Sequence, residues 1–182
     1  MTEISKNILL ISGSGRNAGK TSFILEVIAK NASRNLCAIK ITPHFHEPTM
    51  GLIPIAITGN YRIFQETDSF SSKDSSLFLQ AGAENVFYIQ TTDIYLEEAF
   101  LLTVKQLLPD QPIIVESAAL RKFILPDLYF FIQKKNEDVK SMAIEMKKLA
   151  DIIIYSDGEQ FSMNPKKVIF DKTWKTETND IN

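Results

Sequence analysis

The sequence has little cysteine, little histidine, little net charge and no long hydrophobic run. Cys37 is the single cysteine among 182 residues, so no internal disulfide can form and we expect a reducing, cytoplasmic location. A formal net charge of −2 argues against a broad basic face for nucleic acid or for a membrane. No apolar run approaches the ~20 residues that span a bilayer, and the first residues lack a signal-peptide pattern. We therefore expect a soluble protein that binds neither nucleic acid nor membrane.

The remaining composition is that of a globular chain, with 45% hydrophobic and 23% charged residues. Short apolar runs alternate with helical patterns, without repeats or a linker. Strands are predicted at residues 7–12, 36–42, 60–67, 85–91, 111–120, 126–134, 151–156 and 166–170. Helices are predicted at residues 20–33, 71–83, 93–110 and 136–151, with Ser71 or Ser72 capping the second; residues 43–60 are predicted to be a loop with room for one short strand. This order predicts one α/β domain over residues 1–182: a mostly parallel, twisted sheet with helices on both faces, and a polar tail that frays over residues 171–182.

One stretch, NILLISGSGRNAGKTS, has the strand, glycine-rich turn and helix of a phosphate-binding loop. The strict pattern G-x-x-x-x-G-K-[ST] has glycine where this chain has Ser14, and we expect Gly13 or Gly15 to absorb the unusual backbone dihedrals. The alternative is an ordinary glycine-rich turn with an accidental Gly-Lys-Thr. The residues predicted to bind phosphate are Ser14, Gly15, Arg16, Asn17, Ala18, Gly19, Lys20, Thr21 and Ser22.

Within this loop, Lys20 is the predicted catalytic cation, reaching between the β- and γ-phosphates, and Thr21 is a predicted Mg²⁺ ligand. A second predicted catalytic and metal residue is Glu116, at the end of the buried run PIIVES. Its carboxylate would hold Mg²⁺ through water or orient an attacking water, two roles that the sequence does not separate. The alternative is a solvated carboxylate at a strand end. No N-K-x-D segment follows a late strand, so no motif decides between GTP and ATP.

Three further features are open to two interpretations. Lys40 ends an apolar strand, where it is either a phosphate or substrate contact or a lysine that reaches the surface. Asp74 opens a predicted helix, where it either lines the site or only stabilises the helix dipole. His44 and His46 have metal-like spacing, but the chain has no third histidine to complete a zinc site.

Taken in order, these features resemble the MobB family, the molybdopterin-guanine dinucleotide biosynthesis protein B group of P-loop proteins. The matching segments are GSGRNAGKTS, AIKITPHFHEP, SSKDSSLFLQAGAENVFYI and PIIVES, and the likeness covers residues 7–155. Members usually continue Val-Glu with glycine, whereas this chain has Ser117, which leaves the partner and the role of this face open.

The resemblance implies GTP binding with Mg²⁺, weak hydrolysis, a homodimer, and assistance to a guanylyltransferase partner in molybdenum cofactor biosynthesis. It implies that residues 14–22 carry the phosphates, that Thr21 and Glu116 hold the metal, and that Lys40 and Asp74 line the site. The alternative functions are an ATP-dependent small-molecule kinase or ligase, in which Lys40 and the 43–60 loop grip an acceptor, and a binding module without chemistry.

Overall fold

An eight-stranded sheet lies at the centre of the structure, a computed structural model that describes residues 3–4, 7–139 and 141–177. The strands of the described residues are β1 (Glu3–Ile4), β2 (Ile8–Gly13), β3 (Cys37–Thr42), β4 (Leu52–Ile57), β5 (Tyr61–Glu66), β6 (Asn85–Thr91), β7 (Ile113–Glu116), β8 (Ile124–Leu125), β9 (Leu128–Lys134), β10 (Ile152–Ser156), β11 (Val168–Asp171) and β12 (Thr173–Thr176). The main sheet has the order β10-β9-β2-β7-β3-β6-β5-β4. β1 pairs with β8, and β11 with β12, in two small separate sheets.

The strands from β10 to β6 are parallel, and β5 and β4 complete one edge in antiparallel pairing. β2 lies in the middle, between β7 and β9. Its residues Ile8 to Ile11 are almost fully buried, as expected of a strand that is covered on both faces. The predicted mostly parallel sheet is therefore confirmed.

Helices cover both faces of the sheet, as predicted. They are α1 (Lys20–Lys30), α2 (Asp74–Gln80), α3 (Leu96–Val104) and α4 (Ser141–Lys148). One apolar core contains Phe23 of α1 and Phe78 of α2, and the core on the opposite face contains Phe100 of α3 and Met146 of α4. None of the helices in the described ranges combines the length and apolar character that crossing a membrane requires.

The helices are shorter than predicted, because hydrophobic spacing does not distinguish the last turns from flanking turns. α1 stops at Lys30 and is followed by a 3-10 turn, and α3 ends at Val104, well before Pro109. The predicted serine cap on α2 is wrong. Lys73 is the residue before the helix, and the hydroxyl of Ser71 instead accepts a hydrogen bond from the Lys73 backbone N–H.

The predicted fraying from residue 171 is wrong for the described part of that tail. β12 pairs with β11, and Trp174 is 3% exposed, with its indole N–H donating to the carbonyl of Asn7 at 3.0 Å. Residues 178–182 of the tail lie outside the described residues. β4 is an edge strand of the main sheet and occupies part of the predicted 43–60 loop. It exposes Ile53, Ile55 and Ile57.

Candidate functional site

The glycine-rich loop joins the end of β2 to the start of α1 and turns at two left-handed residues. Asn17 has φ 59° and Gly19 has φ 90°, and asparagine and glycine are the residues that adopt this region most readily. Gly13, Ser14 and Gly15 are not among the residues with positive φ. The expected dihedral role of Gly13 or Gly15 is therefore wrong, and Ser14 fits the first position of the pattern without strain.

Ser14 fixes the loop to β9 instead. Its backbone N–H donates to the carbonyl of Ile132 at 2.9 Å, and its hydroxyl accepts from the N–H of Lys134 at 3.2 Å. Gly13 is needed for the same close approach, since a Cβ there would lie 2.6 Å from the Ile132 oxygen. The start of the loop is thus held rigidly against the neighbouring strand.

Lys20 opens α1 and folds back over the loop, where its ammonium donates to the carbonyl of Gly15 at 2.7 Å. Burial lowers the pKa of Lys20, and the repulsion from Lys40 adds to this, while Glu116 and Asp74 oppose it. A partly buried ammonium with one carbonyl partner is under-compensated, so phosphate oxygens at this place would be favoured partners.

Four side chains from four elements form a continuous polar chain beside the loop. The hydroxyl of Thr21 on α1 donates to Asp74 at the start of α2 at 3.1 Å. Lys40 on β3 forms salt bridges of 2.9 Å to Asp74 and 2.6 Å to Glu116 on β7. β3 and β7 are adjacent, with Lys40 directly opposite Glu116 in the register. The topology therefore places these groups together at the carboxyl ends of parallel strands, where α/β sheets bind ligands.

Lys40 compensates the two carboxylates. Burial opposes its charge, but the attraction of Glu116 and Asp74 outweighs that effect, and the pKa of Lys40 is raised. The second carboxylate oxygen of Glu116, Oε2, is buried and has no hydrogen-bond partner. A buried polar atom without a partner is costly and calls for a water or an ion. With the Thr21 hydroxyl and Asp74, this oxygen makes a donor set that suits Mg²⁺.

These groups surround a cavity of about 390 Å³. Of the predicted site residues, those that line it are Arg16, Asn17, Gly19, Lys20, Thr21, Ser22, Lys40, Asp74 and Glu116. The other three do not line it. Ser14 and Ala18 are buried residues of the loop, and the carbonyl of Gly15 accepts a hydrogen bond from Lys20. Within the described ranges, no group of three or more His, Cys, Asp or Glu side chains is placed to hold a metal.

Sequence reasoning left the role of Asp74 undecided and did not foresee its contact with Thr21. The two residues lie 53 positions apart, and no local pattern links them. His44 and His46 lie beside this cavity rather than in it, with ring centroids 6.1 Å apart. They line a second cavity that shares Arg16, Lys40 and Asp74 with the first.

Comparison with known proteins shows the fold. No protein-family model matches the sequence, and no curated protein matches it at a significant level. Among solved structures, the chain is similar to LpxK from Aquifex aeolicus, described as the "apo" form in complex with ATP, with a TM-score of 0.54 and 14% identity. The match covers 87% of this chain and 50% of LpxK, so the chain spans about half the length of that protein. The fold is a P-loop NTPase-like α/β fold.

Proposed function

We propose that the protein binds a nucleoside triphosphate with Mg²⁺ and cleaves its γ-phosphate. The observation that carries this proposal is the convergence of Lys20, Thr21, Asp74 and Glu116 on one cavity at the amino-terminal end of α1. Backbone N–H groups and the positive end of the helix favour phosphate there, and Lys20 would exchange its contact with Gly15 for phosphate oxygens.

The residues that would hold Mg²⁺ are Thr21, Asp74 and Glu116. Their hydroxyl and carboxylate oxygens are the ligand type that this ion prefers, directly or through water, and Oε2 of Glu116 has no other partner. When bound, the ion would neutralise charge on the β- and γ-phosphate oxygens. Lys40 keeps both carboxylates in position from the opposite side.

Cleavage requires an oriented nucleophile and compensation of charge on the transferring phosphoryl group. Glu116 would accept a hydrogen bond from an attacking water, and Lys20 would supply positive charge. The other cation on the cavity wall besides Lys40 is Arg16, which is exposed on the loop. Because a fully positioned arginine contributes about 10³ to 10⁵ in rate, we expect slow turnover from the isolated chain.

Two different likenesses bear on which nucleotide the protein binds and on its cellular role. The resemblance to the MobB family supports GTP and an accessory role, as a cytoplasmic homodimer, for a guanylyltransferase in molybdenum cofactor biosynthesis. The fold shared with a protein crystallised with ATP supports ATP instead. The second candidate function is an ATP-dependent small-molecule kinase or ligase, and the cavity that adjoins the loop site favours it.

The deciding experiment is calorimetric titration with GTP and with ATP, each with Mg²⁺, on the unmodified protein, on Lys20→Ala and on Lys30→Ala. Lys30 is an exposed lysine at the far end of the same helix, and its replacement should leave binding unchanged. Lys20→Ala should abolish binding while the fold stays intact; unchanged affinity in that variant would end the proposal. A tenfold preference between nucleotides, about 1.4 kcal/mol, separates the accessory role from the kinase or ligase.

A further inference from the structure

We propose that the cavity beside the loop site is a second binding site, for a small molecule that carries a phosphate group. The inference rests on the proposed triphosphate site, because it assigns the acceptor side of the same reaction. The cavity has a volume of about 470 Å³, within the range of small-molecule sites. It shares Arg16, Lys40 and Asp74 with the loop cavity, so a molecule bound in it would face the position of the γ-phosphate.

The wall of this cavity carries cations that have no anionic partner. Arg16 and Lys73 are both exposed, and neither side chain makes a salt bridge or hydrogen bond to any residue of the described ranges. The acidic groups on the same wall are Asp74, which is ion-paired with Lys40, and Glu47. Guanidinium and ammonium groups that line one cavity without carboxylate partners are suited to a phosphate dianion.

His44 and His46 add imidazole donors, and the loop that carries them is anchored to the sheet. The fully buried Gln90 accepts a hydrogen bond from the His46 N–H at 3.3 Å and donates to the His46 carbonyl at 3.0 Å. Arg62 donates to the same carbonyl at 3.4 Å and lies over the ring of Phe45, 5.7 Å from its centre. This wall of the cavity is therefore held in place before any ligand arrives.

Another part of the cavity wall offers surface for the rest of such a molecule. Tyr88 on β6 is half-buried there, and its ring stacks on Phe64 with centroids 6.5 Å apart. Burial raises the pKa of Tyr88, so its hydroxyl stays protonated and can donate a hydrogen bond at neutral pH. If the phosphate group of the bound molecule lies at Lys73, His44 and His46, a hydroxyl group elsewhere on that molecule can point toward the border with the loop cavity and act as the acceptor.

The transfer that this arrangement permits balances without a further reactant. The hydroxyl oxygen of the bound molecule forms a bond to the γ-phosphorus, and the bond from that phosphorus to the β–γ bridging oxygen breaks. The nucleoside diphosphate leaves with that electron pair, and the hydroxyl proton passes to solvent water. The products are a nucleoside diphosphate and a doubly phosphorylated small molecule.

The chain offers a direct probe, because both of its two histidines line this cavity. Protein saturated with Mg²⁺ and a non-hydrolysable triphosphate is titrated with inorganic phosphate and then with glycerol 3-phosphate, at constant pH and ionic strength, while the histidine ring signals are followed by NMR. Acetate and glycerol are the carboxylate and neutral controls. We expect saturable shifts of both histidines with the two phosphates, and no saturation with the controls.

The matched variants are Lys73→Ala and Lys30→Ala. Loss of one charge-assisted hydrogen bond should weaken phosphate binding about tenfold in Lys73→Ala and leave it unchanged in Lys30→Ala. Histidine signals that do not move, that saturate equally with acetate, or that respond unchanged in Lys73→Ala would overturn the phosphate site. Calorimetric titration with the triphosphate is done first, and a lack of binding in that experiment counts against the proposed function alone. In that case the phosphate titration is run on Lys20→Ala protein without nucleotide. The histidine signals then still test the second site.

Discussion

Replacing Lys40 with methionine should destabilise the folded protein strongly, although the side-chain volume hardly changes. Lys40 is the cation between Asp74 and Glu116, and the Glu116 side chain is only 5% exposed. In Lys40→Met the Glu116 carboxylate keeps its burial and loses its ion pair, while Asp74, which is 41% exposed, can be solvated by water. The destabilisation should therefore come mainly from Glu116.

The size of this destabilisation follows from the burial of the ion pair between Lys40 and Glu116. Removing one partner of a buried ion pair costs about 3 to 5 kcal/mol, and the low end applies here because Glu116 lies at a cavity wall. With a urea dependence of about 2 kcal/mol per molar, a loss of about 3 kcal/mol moves the unfolding midpoint down by about 1.5 M. The double variant Lys40→Met with Glu116→Gln should recover to within about 1 kcal/mol of the unmodified protein, because no buried charge is left.

Urea unfolding followed by tryptophan fluorescence measures this, since Trp174 is the single tryptophan and is buried. Lys30→Met, an exposed substitution on α1, is the control and should change stability by less than about 0.5 kcal/mol. Two results would refute the reasoning: a midpoint in Lys40→Met no lower than in the control, or a double variant that loses the sum of both single effects.

Three further predictions concern the loop and its surroundings. Glu116→Gln should slow triphosphate cleavage more than it weakens binding, as measured by phosphate release and calorimetry; an equal loss in both would leave Glu116 a metal-binding or structural role only. Burial lowers the pKa of free Lys20 and bound phosphate would raise it, so binding should take up protons, and affinity should fall as pH rises through the lowered pKa of the free lysine. Calorimetry in buffers of different ionisation enthalpy checks this, and affinity that does not change with pH would contradict it. Gly13→Ala should cost about 1 to 3 kcal/mol in urea unfolding because its Cβ would press on the Ile132 oxygen, whereas Gly15→Ala, with nothing within 4 Å, should be nearly neutral; equal costs would show that the close approach is not the reason.

The parallel sheet and the loop were predictable because their signals are local. Continuous apolar runs such as those of β2 and β7 fit strands buried on both faces, and the Gly-Lys-Thr ending stands between a strand and a helix. The same local logic placed Lys40 and Glu116 at the carboxyl ends of their strands. It could not show that these strands are neighbours, since strand order depends on pairing over long sequence separations.

The features that the sequence did not reveal lie in segments whose amino-acid composition is typical of loops and tails, or depend on contacts between distant residues. β12 lies in a polar tail, where charged and hydroxyl residues around Trp174 suggested fraying, yet the Trp174 ring is buried and packs on Phe170. β4 lies in the 43–60 segment, where the sequence allowed one short strand but did not locate it. The contact of Asp74 with Thr21 depends on where α2 packs against the sheet, which helix periodicity does not encode.

The position of β2 in the sheet also governs when the loop can take shape during synthesis. β2 is synthesised first among the strands of the main sheet, yet its partners are β7 and β9. Ile8 therefore cannot pair until Ile113 has been synthesised, and Gly13 cannot pair until Ile132 has been synthesised. Until those residues leave the ribosome, the loop lacks the strand that anchors Ser14. Such distant pairing is slow to close and slows folding. A nascent chain that stops short of β9 should be unable to retain a nucleotide, even though its entire glycine-rich motif has been translated.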